Sequence, residues 1–193
     1  ALFLVLFGFC AFFLKDIQIV YDFEALFPQG DPDLAFYNKF KKEFEPDDNI
    51  YIVGLEEKHG FFTKEKLKAF EALEDSLLKH PFILESQSPV SLKLPVKSPF
   101  GFLSVPAIHT NEPSRYQKDS TKMMKDPLIK GRMVSNDGKS FLIFLKTIYP
   151  ISQDQAEILH DDILQLLEKS QFDTFHTSGR ATIQTQLVPF QLK

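Results

Sequence analysis

Residues 140–177 have the sequence SFLIFLKTIYPISQDQAEILHDDILQLLEKSQFDTFHT. Its first part, 140–147, is apolar and strand-like, and its last part, 172–177, alternates apolar and polar side chains as a strand does. Between them, Ser152 and Gln155 have the spacing of a helix capping box. Apolar residues then recur at helical spacing over 153–169. The stretch therefore predicts a β-α-β unit whose helix buries Ala156, Leu159, Ile163, Leu166 and Leu167.

A second strand–helix–strand pattern precedes this unit. The near-continuous apolar run at 50–55 predicts a strand that is buried on both faces. Thr63 is expected to cap a helix over 64–79, and 82–86 is a further strand candidate. Asn136-Asp137-Gly138-Lys139 separates two strand-like runs, 128–135 and 140–147, which predicts a hairpin. Together the patterns predict an α+β fold with helices on one face of a mixed sheet. The 64–79 helix should bury Leu67, Phe70, Leu73 and Leu77.

An aromatic helix is predicted upstream of these units. Residues 17–21 alternate as a short strand, and Gln29-Gly30 is a turn candidate. Asp31 and Pro32 are suited to the N-cap and first position of a helix that Pro46 would stop. Along this helix, aromatic side chains follow one another at four-residue spacing on one face. They are Phe36, Phe40 and Phe44, with Tyr37 beside them.

The first fourteen residues, 1–14, carry no charged or polar side chain. As a helix they would reach roughly 21 Å, which is short of the ~30 Å bilayer core. They could be the apolar region of a signal peptide, but the sequence has no initiator Met, basic leader or small-x-small cleavage site. We therefore expect the C-terminal part of a transmembrane helix. Residues 15–193 would then form one extracytoplasmic domain.

Composition excludes some functions. The net charge of −4 argues against nucleic acid as a partner, and no Lys/Arg cluster is large enough to indicate an anionic-lipid patch. Cys10 is the single cysteine and lies in the apolar head, so the remainder has no disulfide or thiol chemistry. The 21 Phe residues suit either a Phe-packed core or apolar surface kept for a membrane or hydrophobic ligand.

No motif for a nucleotide, a catalytic nucleophile or a metal is present. His160-Asp161-Asp162 comes nearest to a site, but we place it on the polar side of its helix and expect a solvated face. The sequence thus predicts no enzyme activity, no catalytic residue, no metal and no cofactor.

Several stretches together resemble a known family. They are YDFEALFPQGDP at 21–32, the aromatic helix, FEPDDNIYIV at 44–53, DPL at 126–128, GRMVSNDGK at 131–139 and SGR at 178–180. Their order and spacing resemble the first extracytoplasmic loop of RND-superfamily exporters, in particular the MMPL and hopanoid-transporter-like branch. Glu45-Pro46 departs from that pattern, since relatives often have a Gly near there. The resemblance covers nearly the whole chain.

The resemblance implies a proton-driven exporter of hydrophobic or amphipathic, lipid-like molecules in the inner membrane. This chain would be its βαβ-type, ferredoxin-like porter domain on the periplasmic side, between transmembrane helices 1 and 2. Its partners would be the remaining transmembrane helices, the second porter loop, the bilayer and the hydrophobic substrate, with self-association left open. The proton-carrying residues would lie in other transmembrane helices.

Residues 87–112 are the candidate substrate path. Prolines interrupt this stretch, and a loop of such length in a compact domain is either functional or misassigned. We expect contact with substrate or a neighbouring porter lobe from Leu94, Phe100, Phe102, Leu103 and Ile108. The alternative, that these side chains cap the core, stays open. An alternative function is a single-pass, membrane-anchored binding module, which would share every local feature; a secreted hydrolase would need a catalytic set that is not found.

Overall fold

The computed structural model describes residue 28 and the ranges 30–44 and 49–191. The predicted apolar membrane segment, the strand at 17–21 and the helix stop at Pro46 lie outside these residues. The helices are α1 (Pro32–Phe44), α2 (Lys64–Leu77), α3 (Tyr116–Met123, preceded by a 3₁₀ turn), α4 (Gln153–Glu168) and α5 (Arg180–Gln191). The strands are β1 (Ile50–Glu56), β2 (Ile83–Gln87), β3 (Lys93–Ser98), β4 (Gly101–Pro106), β5 (Ser140–Thr147) and β6 (Thr174–Gly179).

The main sheet has the order β2-β5-β1-β6. Its strands and helices follow one another as β-α-β-β-α-β, which confirms the α+β class and is compatible with the ferredoxin-like arrangement. The expectation of a mixed sheet is wrong, because β1–β5, β1–β6 and β2–β5 are all antiparallel. The reason is that each helix connects two parallel strands between which a third, antiparallel strand is inserted.

The core lies between one face of this sheet and the helices α2 and α4. Alternate residues of β1 and β5 are completely buried there, and Phe61 stacks on Phe141 with ring centroids 4.2 Å apart. Those sheet residues are Tyr51, Val53, Leu55, Phe141, Ile143 and Leu145. All the predicted inward residues of the two helices are buried, except Leu166, which is half-buried. The capping box of Ser152 and Gln155 is confirmed.

Two sequence predictions for strands are wrong. β1 is buried on one face rather than both, because the described helices cover only that face, and Ile52 on the other face is half-buried. Residues 128–135 form turns instead of a strand: Lys130 N–H donates to Asp126 C=O, and Gly131 has a φ of +75°. The end of this run contacts β5 through a single bridge, in which Val134 lies opposite Phe141 and Met133 and Ser135 form backbone hydrogen bonds with β5.

Gly179 is the last residue of β6, where this strand pairs with β1. Its φ is +117°, a conformation that L side chains rarely adopt. A Cβ atom on Gly179 would collide with the carbonyl oxygen of Ile50 on β1. Gly101, in contrast, has a φ of +122° but nothing within 4 Å of its Cβ position.

We predict that Gly179→Ala destabilises the fold more than Gly101→Ala. Gly101→Ala carries backbone strain alone, which costs about 1–3 kcal/mol. Gly179→Ala adds a collision with β1 backbone, which can be relieved only by separating the two strands. Urea unfolding of both variants provides the comparison. Equal losses would mean that the close approach to Ile50 does not constrain the sheet.

Candidate functional site

The candidate site is the β3–β4 hairpin, residues 93–106, which corrects the sequence expectation of a loop. Leu94 pairs with Val105 and Val96 with Leu103. Because directly opposed residues share a face, these four side chains form one apolar face. Phe102 pairs with Lys97 on the other face.

The turn of the hairpin presents Phe100 at its tip. Phe100 N–H donates to Ser98 Oγ, and Ser98 Oγ–H donates to Gly101 C=O at 2.9 Å. Pro99 precedes Phe100, and Gly101 supplies the positive φ that the turn requires. Local side-chain hydrogen bonding therefore holds an aromatic residue in the open.

The exposed fraction of the apolar side chains rises from the base of the hairpin to its tip. Leu94 is half-buried against the core, Leu103 is 58% exposed and Phe102 is 78% exposed. Phe100 is 100% exposed. The hairpin sequence KLPVKSPFGFLSVP contains two Lys and no acidic residue. Exposed apolar residues grouped in this way mark interaction sites more often than scattered ones do.

A buried carboxylate holds the first strand of the hairpin to the body. Glu74 on α2 accepts hydrogen bonds from the hydroxyls of Ser86, Ser88 and Ser91 at 2.7–2.9 Å. Ser88 and Glu74 are buried, and Ser91 lies two residues before β3. Removing an acceptor from buried donors costs about 1–3 kcal/mol for each group left unpaired. The network therefore fixes where β3 leaves the core.

The second strand of the hairpin returns into an equally fixed segment. Ala107 N–H donates to Leu92 C=O, which closes the base of the ribbon. His109 donates from its backbone to Asp119, and Thr110 Oγ1 donates to Glu71. Ile108 between them is 2% exposed and belongs to the core. Both ends of the hairpin are thus clamped while its tip projects.

The predicted substrate-path residues separate into two groups. Leu94, Phe100, Phe102 and Leu103 come together on the hairpin, where their contact with a substrate stays a prediction. For Ile108 the core alternative holds, because the chain re-enters the body one residue earlier. Val96 and Val105 share the apolar face but were missed, although the alternation Leu94-x-Val96 and Leu103-x-Val105 is a strand signal.

The solvated face expected for His160-Asp161-Asp162 is confirmed for the two aspartates, which are exposed, and only in part for His160. It is half-buried, and its Nδ1 shares a hydrogen bond of 2.7 Å with Tyr51 OH. Burial lowers the pKa of the His160 imidazole, against an opposing effect of Asp161. Asp162 instead approaches His80, with 3.3 Å between Oδ2 and Nε2. Across 30–44 and 49–191, no group of three or more His, Cys, Asp or Glu side chains could hold a metal ion.

No protein-family model and no curated protein sequence matches the chain. The family resemblance therefore depends on the sequence stretches quoted above. None of the described helices is long and apolar enough to cross a membrane.

We predict that Glu74→Ala loosens the base of the hairpin. Of the three hydroxyls that lose their acceptor, only that of Ser88 is buried, while Ser86 is half-buried and Ser91 exposed, so the free energy of unfolding should fall by about 1–3 kcal/mol. Hydrogen exchange at the Ala107 amide should accelerate. Asp75→Ala, at the next and exposed position of the same helix, is the matched control. If both variants behave alike, Glu74 does not anchor the hairpin.

The Tyr51–His160 pair predicts a pH dependence of stability. Because the folded pKa of His160 is lowered, the unfolded chain binds the proton first as pH falls through about 6.5. The stability contribution of the neutral imidazole is therefore full above that pH and is lost progressively below it. The unfolding free energy of the wild type should fall more between pH 7.5 and 5.5 than that of His160→Gln. His59→Gln, at an exposed position, should retain the wild-type profile.

Proposed function

We propose that this chain is the extracytoplasmic porter domain of an RND/MMPL-type, proton-driven exporter of hydrophobic or amphipathic molecules. The hairpin supplies apolar contacts on the export path through Phe100, Phe102, Leu103 and, nearer its base, Leu94. The domain is attached to the inner membrane through the apolar segment 1–14.

The observation that carries this proposal is the fully exposed Phe100 on a ribbon whose base is clamped. Burying a Phe side chain against an apolar partner is worth about 1.5–3 kcal/mol. Because its base is fixed, the ribbon makes such a contact without the entropy cost of ordering a loop. A lipid-like substrate, or an apolar surface of a neighbouring lobe, is the chemistry that fits.

The ferredoxin-like body is compatible with the porter domain that the family resemblance implies. Two of the stretches that carry the resemblance include parts of the sheet: 44–53 contains the start of β1, and 178–180 joins β6 to α5. The same two strands are neighbours in the sheet. These stretches therefore support the porter-domain fold, whereas the proposed substrate contact depends on the hairpin.

We predict that the double variant Phe100→Ala, Phe102→Ala lowers export in the membrane-embedded protein. Losing both rings should weaken an apolar contact by at least about tenfold, since each 1.4 kcal/mol is a factor of ten. Efflux of a hydrophobic dye from cells, and competition by a second hydrophobic compound, provide the readout. Leu128→Ala removes an exposed apolar side chain outside the hairpin and is the control.

Unchanged efflux and unchanged competition would contradict a role of the hairpin in export. If the protein binds hydrophobic ligands through the hairpin but supports no efflux, the anchored binding module is the better description. Protein levels in the membrane must match across variants, so that a folding defect is not mistaken for a transport defect.

A further inference from the structure

Helix α1 presents its aromatic side chains away from the body of the protein. Phe36 is 70% and Phe44 66% exposed, and none of the residues of α1 is buried. Phe40 is also exposed and stacks on Phe44 with ring centroids 4.8 Å apart. An amphipathic helix of a globular protein normally turns such a stripe toward the core. On α1 the stripe is left open.

The side of α1 that approaches the body is a different one. Leu34, Asn38 and Lys41 are its half-buried residues within 32–41, and they recur at three- to four-residue spacing on one face. Lys41 Nζ lies 3.3 Å from Tyr149 OH and over the Tyr149 ring. The helix is therefore held by a polar contact, while the aromatic stripe faces outward. This orientation is unfavourable unless something apolar covers Phe36, Phe40 and Phe44.

We propose that α1 lies in the membrane–water interface, with Phe36, Phe40 and Phe44 among the lipid headgroups and upper acyl chains. The inference rests on the membrane attachment contained in the proposed function, and assigns to the bilayer a surface other than the hairpin. A helix with aromatic residues on one side and Lys on the other is typical of interfacial binding.

The place of α1 in the chain favours the bilayer over other occupants. The apolar segment 1–14 ends at Leu14, and residues 15–31 connect it to α1. Fully extended, that connector would reach no more than about 60 Å, so attachment through segment 1–14 keeps the bilayer within reach of α1. Lys42 lies on the side opposite the stripe and Lys39 flanks it, where their ammonium groups remain in water. The three Lys residues of α1 are too few for a polybasic patch. Burial of the apolar stripe therefore provides most of the attraction to the membrane.

The absence of Trp from the sequence makes a direct test available. Three single-Trp variants of the full chain, Phe40→Trp, Phe100→Trp and Leu128→Trp, are reconstituted into phosphatidylcholine liposomes. Flotation reports whether the protein is attached to the liposomes. Dibrominated phosphatidylcholine then quenches any Trp that touches acyl chains. Leu128 is an exposed position of the body and serves as the matched control.

We expect a blue-shifted emission and strong quenching for Phe40→Trp, and a water-like, unquenched emission for Leu128→Trp. Adding Phe36→Ser and Phe44→Ser to Phe40→Trp should abolish most of the quenching. Replacing part of the phosphatidylcholine with phosphatidylglycerol should increase it only slightly. The exposed positions leave the core untouched, so circular dichroism should be unchanged throughout.

Four outcomes would overturn the inference. Attached protein with an unquenched, water-like Phe40→Trp leaves α1 in solvent, with the membrane attachment itself intact. A blue-shifted but unquenched Phe40→Trp indicates that protein covers the stripe. Quenching of Phe100→Trp alone transfers membrane contact to the hairpin. If no variant floats with the liposomes, the attachment in the proposed function fails as well, which separates the two failures.

Discussion

The antiparallel pairing of β1 with both β5 and β6 is the constraint on which the rest of the structure depends. β1 is one of the two inner strands of the sheet, and its alternate residues Tyr51, Val53 and Leu55 set which sheet face meets the helices. A one-residue slip would turn those side chains to the opposite face. Gly179 protects the register at one end, because only a residue without a Cβ fits against the Ile50 carbonyl. The sheet register therefore determines where α2 and α4 pack.

The position of the hairpin follows from that packing. α2 is held on the sheet by its buried apolar face, and the same helix carries Glu74, which receives the serine hydroxyls before β3. Glu71, one turn earlier, receives Thr110 after β4. One helix thus anchors both ends of the excursion. The core helix α2 therefore positions the apolar tip that we propose as a contact surface, and the hairpin is not an independent loop.

Apolar side chains serve two different purposes in this chain. Phe61, Phe70 and Phe141 pack ring to ring in the core. Phe36, Phe44, Phe100 and Phe102 are left in contact with solvent. The Phe-packed core is therefore confirmed for the first group, while a membrane or ligand contact for the exposed group stays a prediction. Composition could not divide them, because a Phe that faces a helix and a Phe that faces outward have the same hydropathy.

The sequence by itself determined the helices α2 and α4 and their inward faces, because capping residues and helical periodicity act within a few residues. It also identified Leu94, Phe100, Phe102 and Leu103 as candidates. It could not exclude Ile108, which is buried in the core that the whole fold assembles. Strand direction, the open face of β1, the half-buried His160 and the outward stripe of α1 were decided by tertiary structure alone. Each of these depends on contacts between residues far apart in the chain, and local pattern carries no information about such contacts.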